Sequence, residues 1–291
     1  MIRKLIQLSP STGVVSLPSA WIKKNKLKKG DYLFVDEKDN RIMVSVNSDK
    51  SENQITLDIS QLSGKLLWSY FDAAYIAGYD EIIVITKDPE QTELLTKLVK
   101  HFPGMMIYDE RKNMVKFKDI VDNPQDDVAV ILSRIFNMNI AMLEDGIEAM
   151  KNNDWKLLVS MKKRDFTINS YVSYCFRQLN KFGYERMSKI GIMHTYIKIL
   201  EMLSDKYSAL FLWLGDKKLK TEAAHIEQLL NIHRELHRLH FGFSLDKLKA
   251  LNSAKERLSN AQIKNPVVYA FFQEITSLLF DIEELEMQLK A

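Results

Sequence analysis

The stretch GVVSLPSAWIKKNKLKKGDYLFV, residues 13–35, decides the fold of the first part of the chain. It carries five lysines between Trp21 and Gly30, and its only acid is Asp31. A strand candidate ends at Pro18, and about two helical turns follow it. Glycine tolerates a positive φ, so Gly30 marks a tight turn before the next strand. The stretch therefore predicts a strand, a short basic helix, a turn and a second strand.

The surrounding residues extend this pattern to a small unit of about fifty residues. IRKLIQL at 2–8 is another strand candidate, and YLFVDEKDNRIMVSV at 32–46 reads as a hairpin around Asp39-Asn40. The predicted order over residues 1–50 is strand, strand, short helix, strand, strand. So small a unit, without cysteine or histidine, needs a partner to complete its core. Two copies that pair their strands would supply it.

Charge is unevenly distributed along the 291 residues. Residues 1–30 carry seven basic side chains and no acid, a charge of +7, whereas the whole chain carries only +3. A basic head on a mildly acidic remainder favours a polyanionic partner. The alternative is a solvated lysine-rich face, since lysine is mostly exposed in any protein.

Residues 51–122 alternate between strand and helix candidates in the order β-α-β-α-β-β. Asp88-Pro89 has the residue types of a helix cap followed by a first-turn proline. We find no glycine-rich phosphate loop in this region. The pattern predicts a small sheet covered by two helices.

The third region, residues 126–291, follows the linker candidate DNPQDD at 122–127 and is predicted to be helical. Apolar residues recur at a spacing of three to four, and breaks are expected at Gly183, Gly215 and Gly242, among others. The predicted helices are 126–151, 154–182, 187–214, 217–241, 244–262 and 265–289. Long helices joined by short turns form bundles, so the fold class is multidomain α+β with a C-terminal all-α bundle.

Two resemblances follow from these residues. The Leu17-Pro18 strand end, the short helix and Leu27-Lys28-Lys29-Gly30-Asp31 resemble the AbrB/SpoVT swapped-hairpin DNA-binding fold. MNIAMLEDGIEAMKNNDWKLLVSMKKRD, residues 138–165, resembles the first helices of PhoU-type proteins. The whole order is similar to archaeal-type PhoU-domain regulators with an AbrB-type head.

The resemblance implies a cytoplasmic, homodimeric transcription regulator that binds duplex DNA and is linked to phosphate uptake or signalling, with a phosphate-signalling protein as a further partner. In AbrB-type heads a basic face of the dimer contacts DNA. The corresponding residues here lie on the first strand, the following loop and the short helix: Arg3, Lys4, Ser9, Ser11, Thr12, Lys23 and Lys24. Arginine reads guanine better than lysine does, and Arg3 is the only arginine of this face. We therefore expect weak base specificity and a large contribution from phosphate contacts.

PhoU-type bundles hold metal through a Glu/Asp-x-x-x-Asp motif, which places two carboxylates one helical turn apart. Glu201 and Asp205 complete this motif and are the candidate ligands for a divalent metal or iron. The second copy reads Asp165-x-x-x-Asn169, and Asn169 brings no charge. The alternative is a solvated or ion-paired set of carboxylates; no cofactor is otherwise expected.

His233, His237 and His240 occur at i, i+4 and i+7 and share one helical face. Imidazoles at this spacing can bind zinc or respond to pH. The arginines beside them oppose a cation. A polar helix face with half-buried histidines is the favoured interpretation.

Neither a nucleophile elbow nor a phosphate loop is present, so we expect no enzyme. The single cysteine, Cys175, fits a reducing cytoplasm, and the longest apolar run is too short to enter a membrane as a span. Two other functions remain open. One is a dimeric adaptor without a DNA role, whose PhoU-like bundle binds a transporter or kinase; the other is an RNA-binding protein, for which the head has few stacking aromatics.

Overall fold

The computed structural model describes residues 2–38, 41–46, 53–121, 128–184, 186–220 and 223–291. The chain forms two compact units, residues 1–51, here called the head, and residues 52–291, called the body. The predicted turn Asp39-Asn40 and the predicted linker 122–127 lie outside the described residues. The body contains both the small sheet and the helices, and the division into three domains stays a prediction.

The head consists of two antiparallel hairpins with a short helix between them. Its elements are β1 (Ile6–Ser9), β2 (Thr12–Val14), α1 (Ser19–Lys24), β3 (Phe34–Lys38) and β4 (Arg41–Ser45). β1 pairs with β2, and β3 pairs with β4. The predicted order of strands and helix is confirmed.

The body begins with a four-stranded sheet and two helices. Its elements are β5 (Gln54–Asp58), α2 (Gly64–Ala77), β6 (Glu81–Ile85), α3 (Pro89–Leu98), β7 (Met105–Arg111) and β8 (Met114–Asp119). The sheet order is β5-β6-β8-β7, in which only β5 and β6 are parallel. Phe71 of α2 packs on Phe117 of β8, with ring centroids 4.8 Å apart. The predicted β-α-β-α-β-β order is confirmed, and Asp88 caps α3 through the backbone N–H of Gln91.

Between residues 128 and 291, the described part of the body forms six long helices. They are α4 (Val128–Asn152), α5 (Trp155–Phe182), α6 (Ile190–Lys217), α7 (Ala223–Phe241), α8 (Leu245–Ser259) and α9 (Pro266–Lys290). The expected break at Gly215 is wrong, because α6 continues to Lys217 and Lys218 ends it with a φ of 51°. A Cβ at Gly215 would lie 3.0 Å from side-chain atoms of Leu158 and Val159, so this glycine serves close helix packing. Among the described residues, no helix is long and apolar enough to cross a membrane.

Arg177 of α5 joins the bundle to the small sheet. Its guanidinium is buried and donates to the backbone carbonyls of Tyr75 (2.7 Å) and Tyr79 (2.8 Å), where α2 ends. It also pairs with Asp119 at the end of β8, at 2.6 Å. Lys181, one helical turn further along α5, donates to the same carboxylate at 2.7 Å. Arg177 thus supplies charged donors to one carbonyl in the last turn of α2 and to one in the turn that follows it.

Candidate nucleic-acid interface

The first hairpin positions the polar residues of the expected DNA-binding face. Ser9 and Thr12 pair across the turn that joins β1 to β2, and the Ser9 and Ser11 hydroxyls are 3.5 Å apart. Arg3 and Lys4 are exposed but precede β1, so their expected place on the first strand is wrong. The structure thus separates these two basic residues from the strand and groups the three hydroxyls at one turn.

Lys23 and Lys24 form the last turn of α1, and both are exposed. Cations are favourable there, because the carbonyl end of a helix carries partial negative charge. The backbone N–H and the side-chain amide of Asn25 both donate to the carbonyl of Trp21, at 3.0 and 2.8 Å. These contacts fix where α1 ends and project both ammonium groups into solvent.

The turn after α1 is held by its own backbone and by Asp31. The backbone N–H of Lys28 donates to the Asp31 carboxylate at 2.7 Å, and the N–H of Asp31 donates to the carbonyl of Lys28 at 3.2 Å. Gly30 has a φ of 98°, which confirms the predicted turn position. Asp31, the acid nearest in sequence to these lysines, therefore uses its carboxylate to hold the turn.

The head carries ten basic and five acidic side chains, and all five acids follow residue 30. Its first thirty residues include no acid, and within the described part of the head no ion pair involves their basic side chains. The exposed basic residues are Arg3, Lys4, Lys23, Lys24, Lys26, Lys28 and Lys29. Such a surface binds phosphates and releases counterions without reading sequence.

The apolar residues of the head are also exposed. Within the head, none of the residues whose exposure the structure describes (2–35, 37 and 42–46) is buried. The largest exposed apolar side chains lie on or near the strands: Ile2, Leu5, Ile6, Leu8, Tyr32, Val35 and Ile42. The sequence predicted that fifty residues need a partner, and these side chains are the surface that a partner would cover. Periodicity could not identify them, because short exposed and buried strands look alike.

The head matches a family model, "Antidote-toxin recognition MazE, bacterial antitoxin", over residues 6–51. The match supports a MazE/AbrB-like, antitoxin-type swapped-hairpin domain at the N-terminus. The match ends before the body, so the likeness to PhoU-type proteins rests on the sequence pattern alone. No curated protein and no solved structure is significantly similar to the chain.

The candidate metal ligands Glu201 and Asp205 lie on α6, facing α5. Glu201 pairs with Lys198 of its own helix, and Asp205 pairs with Lys162 of α5 at 3.3 Å. The described residues contain no group of three or more histidine, cysteine, aspartate or glutamate side chains placed to hold a metal ion. Metal binding at Glu201 and Asp205 stays a prediction.

Asp165 lies beside this pair and is almost completely buried. Lys162 donates to one of its oxygens at 2.6 Å, whereas the other oxygen has no hydrogen-bond partner within the described structure. Burial raises the pKa of Asp165 to about 6, and the neighbouring Asp205 charge adds to the rise while Lys162 opposes it. The sequence motif located this carboxylate but gave no sign of its burial.

The three histidines of α7 have three different environments. His233 is fully buried with Nδ1 3.3 Å from the Tyr207 hydroxyl, and burial lowers its pKa to about 3. His237 stacks on Phe136, with ring centroids 5.0 Å apart. His240 Nδ1 lies 2.8 Å from the buried carboxylate of Glu286. His233 and His240 are buried and only His237 is half-buried, so the expected half-buried face is wrong for two of the three rings.

Proposed function

We propose that the chain is a dimeric, DNA-binding transcription regulator. Two heads interlock through the exposed apolar residues of their strands and present the lysines of α1 and the Ser9–Thr12 turn to duplex DNA. The observation that supports this best is that the described part of one small domain combines an exposed apolar surface with lysines that make no ion pair there. The first needs a second copy, and the second needs a polyanion.

The body would act as the sensor or docking domain of this regulator. Its six long helices are typical of a bundle that binds a ligand or a protein. The link to phosphate uptake or signalling follows from the resemblance to PhoU-domain regulators. A dimeric adaptor remains the alternative, in which the head serves only to pair two chains and the body binds a transporter or kinase.

The printed family description suggests a second candidate, an antitoxin that recognises a toxin protein. The match to residues 6–51 supports it. An antitoxin of this kind would bind a protein tightly through residues outside the cationic surface. Co-purification of a stoichiometric toxin would favour it, and DNA binding by the isolated dimer would not exclude it.

The test is fluorescence anisotropy with a duplex from upstream of the protein's own gene, at several salt concentrations. The variant Lys23→Glu/Lys24→Glu should lose affinity by roughly 100-fold, because it loses lysine contacts to the phosphates. Each lost contact should also reduce the slope of log affinity against log salt concentration by about 0.9. Four such lysines are present in a dimer. Light scattering must show that the variant is still dimeric.

Lys156→Glu/Lys249→Glu is the matched control. Both residues are exposed lysines of the body, and their replacement changes the net charge by the same amount. This variant should bind DNA like the parent. Equal losses of DNA affinity in the two variants would show that net charge alone determines binding. If the folded parent dimer bound no DNA at low salt, the dimeric adaptor would be the remaining function.

A further inference from the structure

Helix α2 presents an apolar stripe that no described residue covers. The stripe consists of Leu66, Tyr70, Ala73 and Ala77, all of which are exposed. Leu66 is 61% and Tyr70 is 44% exposed. At the pitch of an α-helix these four positions fall within an arc of about 60°. No charged residue lies in that arc.

The other faces of α2 are already occupied within the body. Phe71 packs on the sheet, and Trp68 packs on Phe166 of α5, with ring centroids 4.9 Å apart. Asp72 also faces α5, where it accepts a hydrogen bond from Ser173. Folding of the body thus leaves the stripe free. An exposed apolar stripe on a helix whose other apolar face is already packed is typical of an association surface.

The stripe is complementary in shape to itself. Its first half carries the large side chains Leu66 and Tyr70, and its second half carries Ala73 and Ala77. When two such helices pack antiparallel, the large half of each lies over the small half of the other. A twofold interface requires this kind of self-complementary patch. The absence of charge means that two copies do not repel one another.

We propose that α2 packs antiparallel against α2 of a second copy, so that Tyr70 of each chain lies on Ala73 of the other. The inference rests on the proposed function, because the paired heads bring the two bodies together. A helix of 14 residues is about 21 Å long, and a pair of that length is at the low end of stable interfaces. Only the short segment between Ser45 and Gln54 joins β4 to β5. Paired heads therefore hold the two helices at an effective concentration in the millimolar range, at which a small interface forms.

Thiol cross-linking of the full-length chain tests this pairing. Cys175, the chain's only cysteine, is buried and its raised pKa keeps the thiol protonated, so Ala73→Cys adds one reactive site. In the proposed register the two Ala73 positions are about 5 Å apart along the helices, and the two Ala77 positions are about 16 Å apart. A short bismaleimide, about 8 Å long, at low micromolar protein should therefore cross-link the Ala73→Cys dimer at least tenfold faster than the Ala77→Cys dimer. Both thiols should react equally with a monofunctional maleimide.

Cross-linking in neither variant, or equally in both, would overturn the antiparallel pairing. Light scattering and DNA anisotropy on the same samples separate this failure from that of the proposed function. If the chain is a dimer that binds DNA but does not cross-link at position 73, the α2 interface is excluded and the proposed function is kept. A monomer that binds no DNA removes the dimeric regulator and the α2 interface together.

Discussion

At the scale of single residues, the carboxyl of Asp165 is expected to cost stability at neutral pH. Burial raises its pKa to about 6, above the 3.8 of an exposed aspartate, so the folded chain holds this proton more tightly than the unfolded chain does. Its contribution therefore favours folding at acid pH and is lost as pH rises through about 6. Asp165→Asn should raise the free energy of unfolding at pH 7 by on the order of 1–2 kcal/mol. At pH 4 the same substitution should raise it by less. Urea titrations at the two pH values measure both.

Asp145→Asn is the control for this prediction. Asp145 is half-exposed on α4 and pairs with Arg164 at 2.5 Å. An exposed carboxylate has little desolvation cost to recover, so its removal should change stability by less than about 1 kcal/mol at either pH. If Asp165→Asn is instead less stable than the parent at pH 7, the bond from Lys162 outweighs the burial of the charge.

Two glycines within helices are expected to respond in opposite directions to alanine. A Cβ at Gly146 would overlap the Phe211 ring, whereas a Cβ at Gly191 would have no neighbour within 4 Å. Gly146→Ala should destabilise the chain by about 1–3 kcal/mol through overpacking. Gly191→Ala should stabilise it by up to about 1 kcal/mol, because alanine favours helix. Thermal unfolding of both variants checks this, and a stable Gly146→Ala would show that the α4–α6 contact is loose.

At the scale of elements, hydrophobic periodicity predicted the helices and strands well, but it could not predict how they dock. The order of elements in the head and in the small sheet followed from alternation and from turn residues. Gly215 was wrongly predicted to end a helix, because the sequence does not distinguish a glycine that permits close packing from one that ends a helix. Arg177 was not singled out at all, since its partners Tyr75, Tyr79 and Asp119 are 58 or more residues away. Contacts between distant positions leave no local signal in one sequence.

The same arginine gives a prediction about the joint between sheet and bundle. Arg177→Lys keeps the charge but cannot donate to two carbonyls and a carboxylate in a fixed plane. Amide hydrogens at the end of α2 and in β8 should then exchange at least tenfold faster. Amides in α6 and α9, to which Arg177 makes no hydrogen bond within the described structure, should keep their rates. Equal acceleration throughout the body would show that sheet and bundle unfold as one unit, and no acceleration would mean that Lys181 suffices.

At the scale of the whole molecule, the sequence predicted a head that needs a partner, and the structure of one chain shows which side chains are left uncovered. The DNA-binding face was carried over from a resemblance; the structure places Ser9, Ser11 and Thr12 at one turn and Lys23 and Lys24 at one helix end, whereas Arg3 and Lys4 precede β1. The metal prediction depended on a spacing motif, which reports that two carboxylates share a helix face. It cannot report that Lys162 and Lys198 already pair with them.

The need for a partner leads to the last prediction, which concerns assembly. Val35 of β3 is 63% exposed in the single chain and lies on the surface that the second head would cover. Val35→Asp would bury a charge at that interface, so the chain should become monomeric and lose DNA binding. Leu245→Asp is the control, because Leu245 is equally exposed (65%) but lies on the body. It should stay dimeric and bind DNA. The body has its own core, so circular dichroism should show full helix content in both variants. A dimeric Val35→Asp that binds DNA normally would mean that the chains pair elsewhere and that the exposed strands of the head await a different protein.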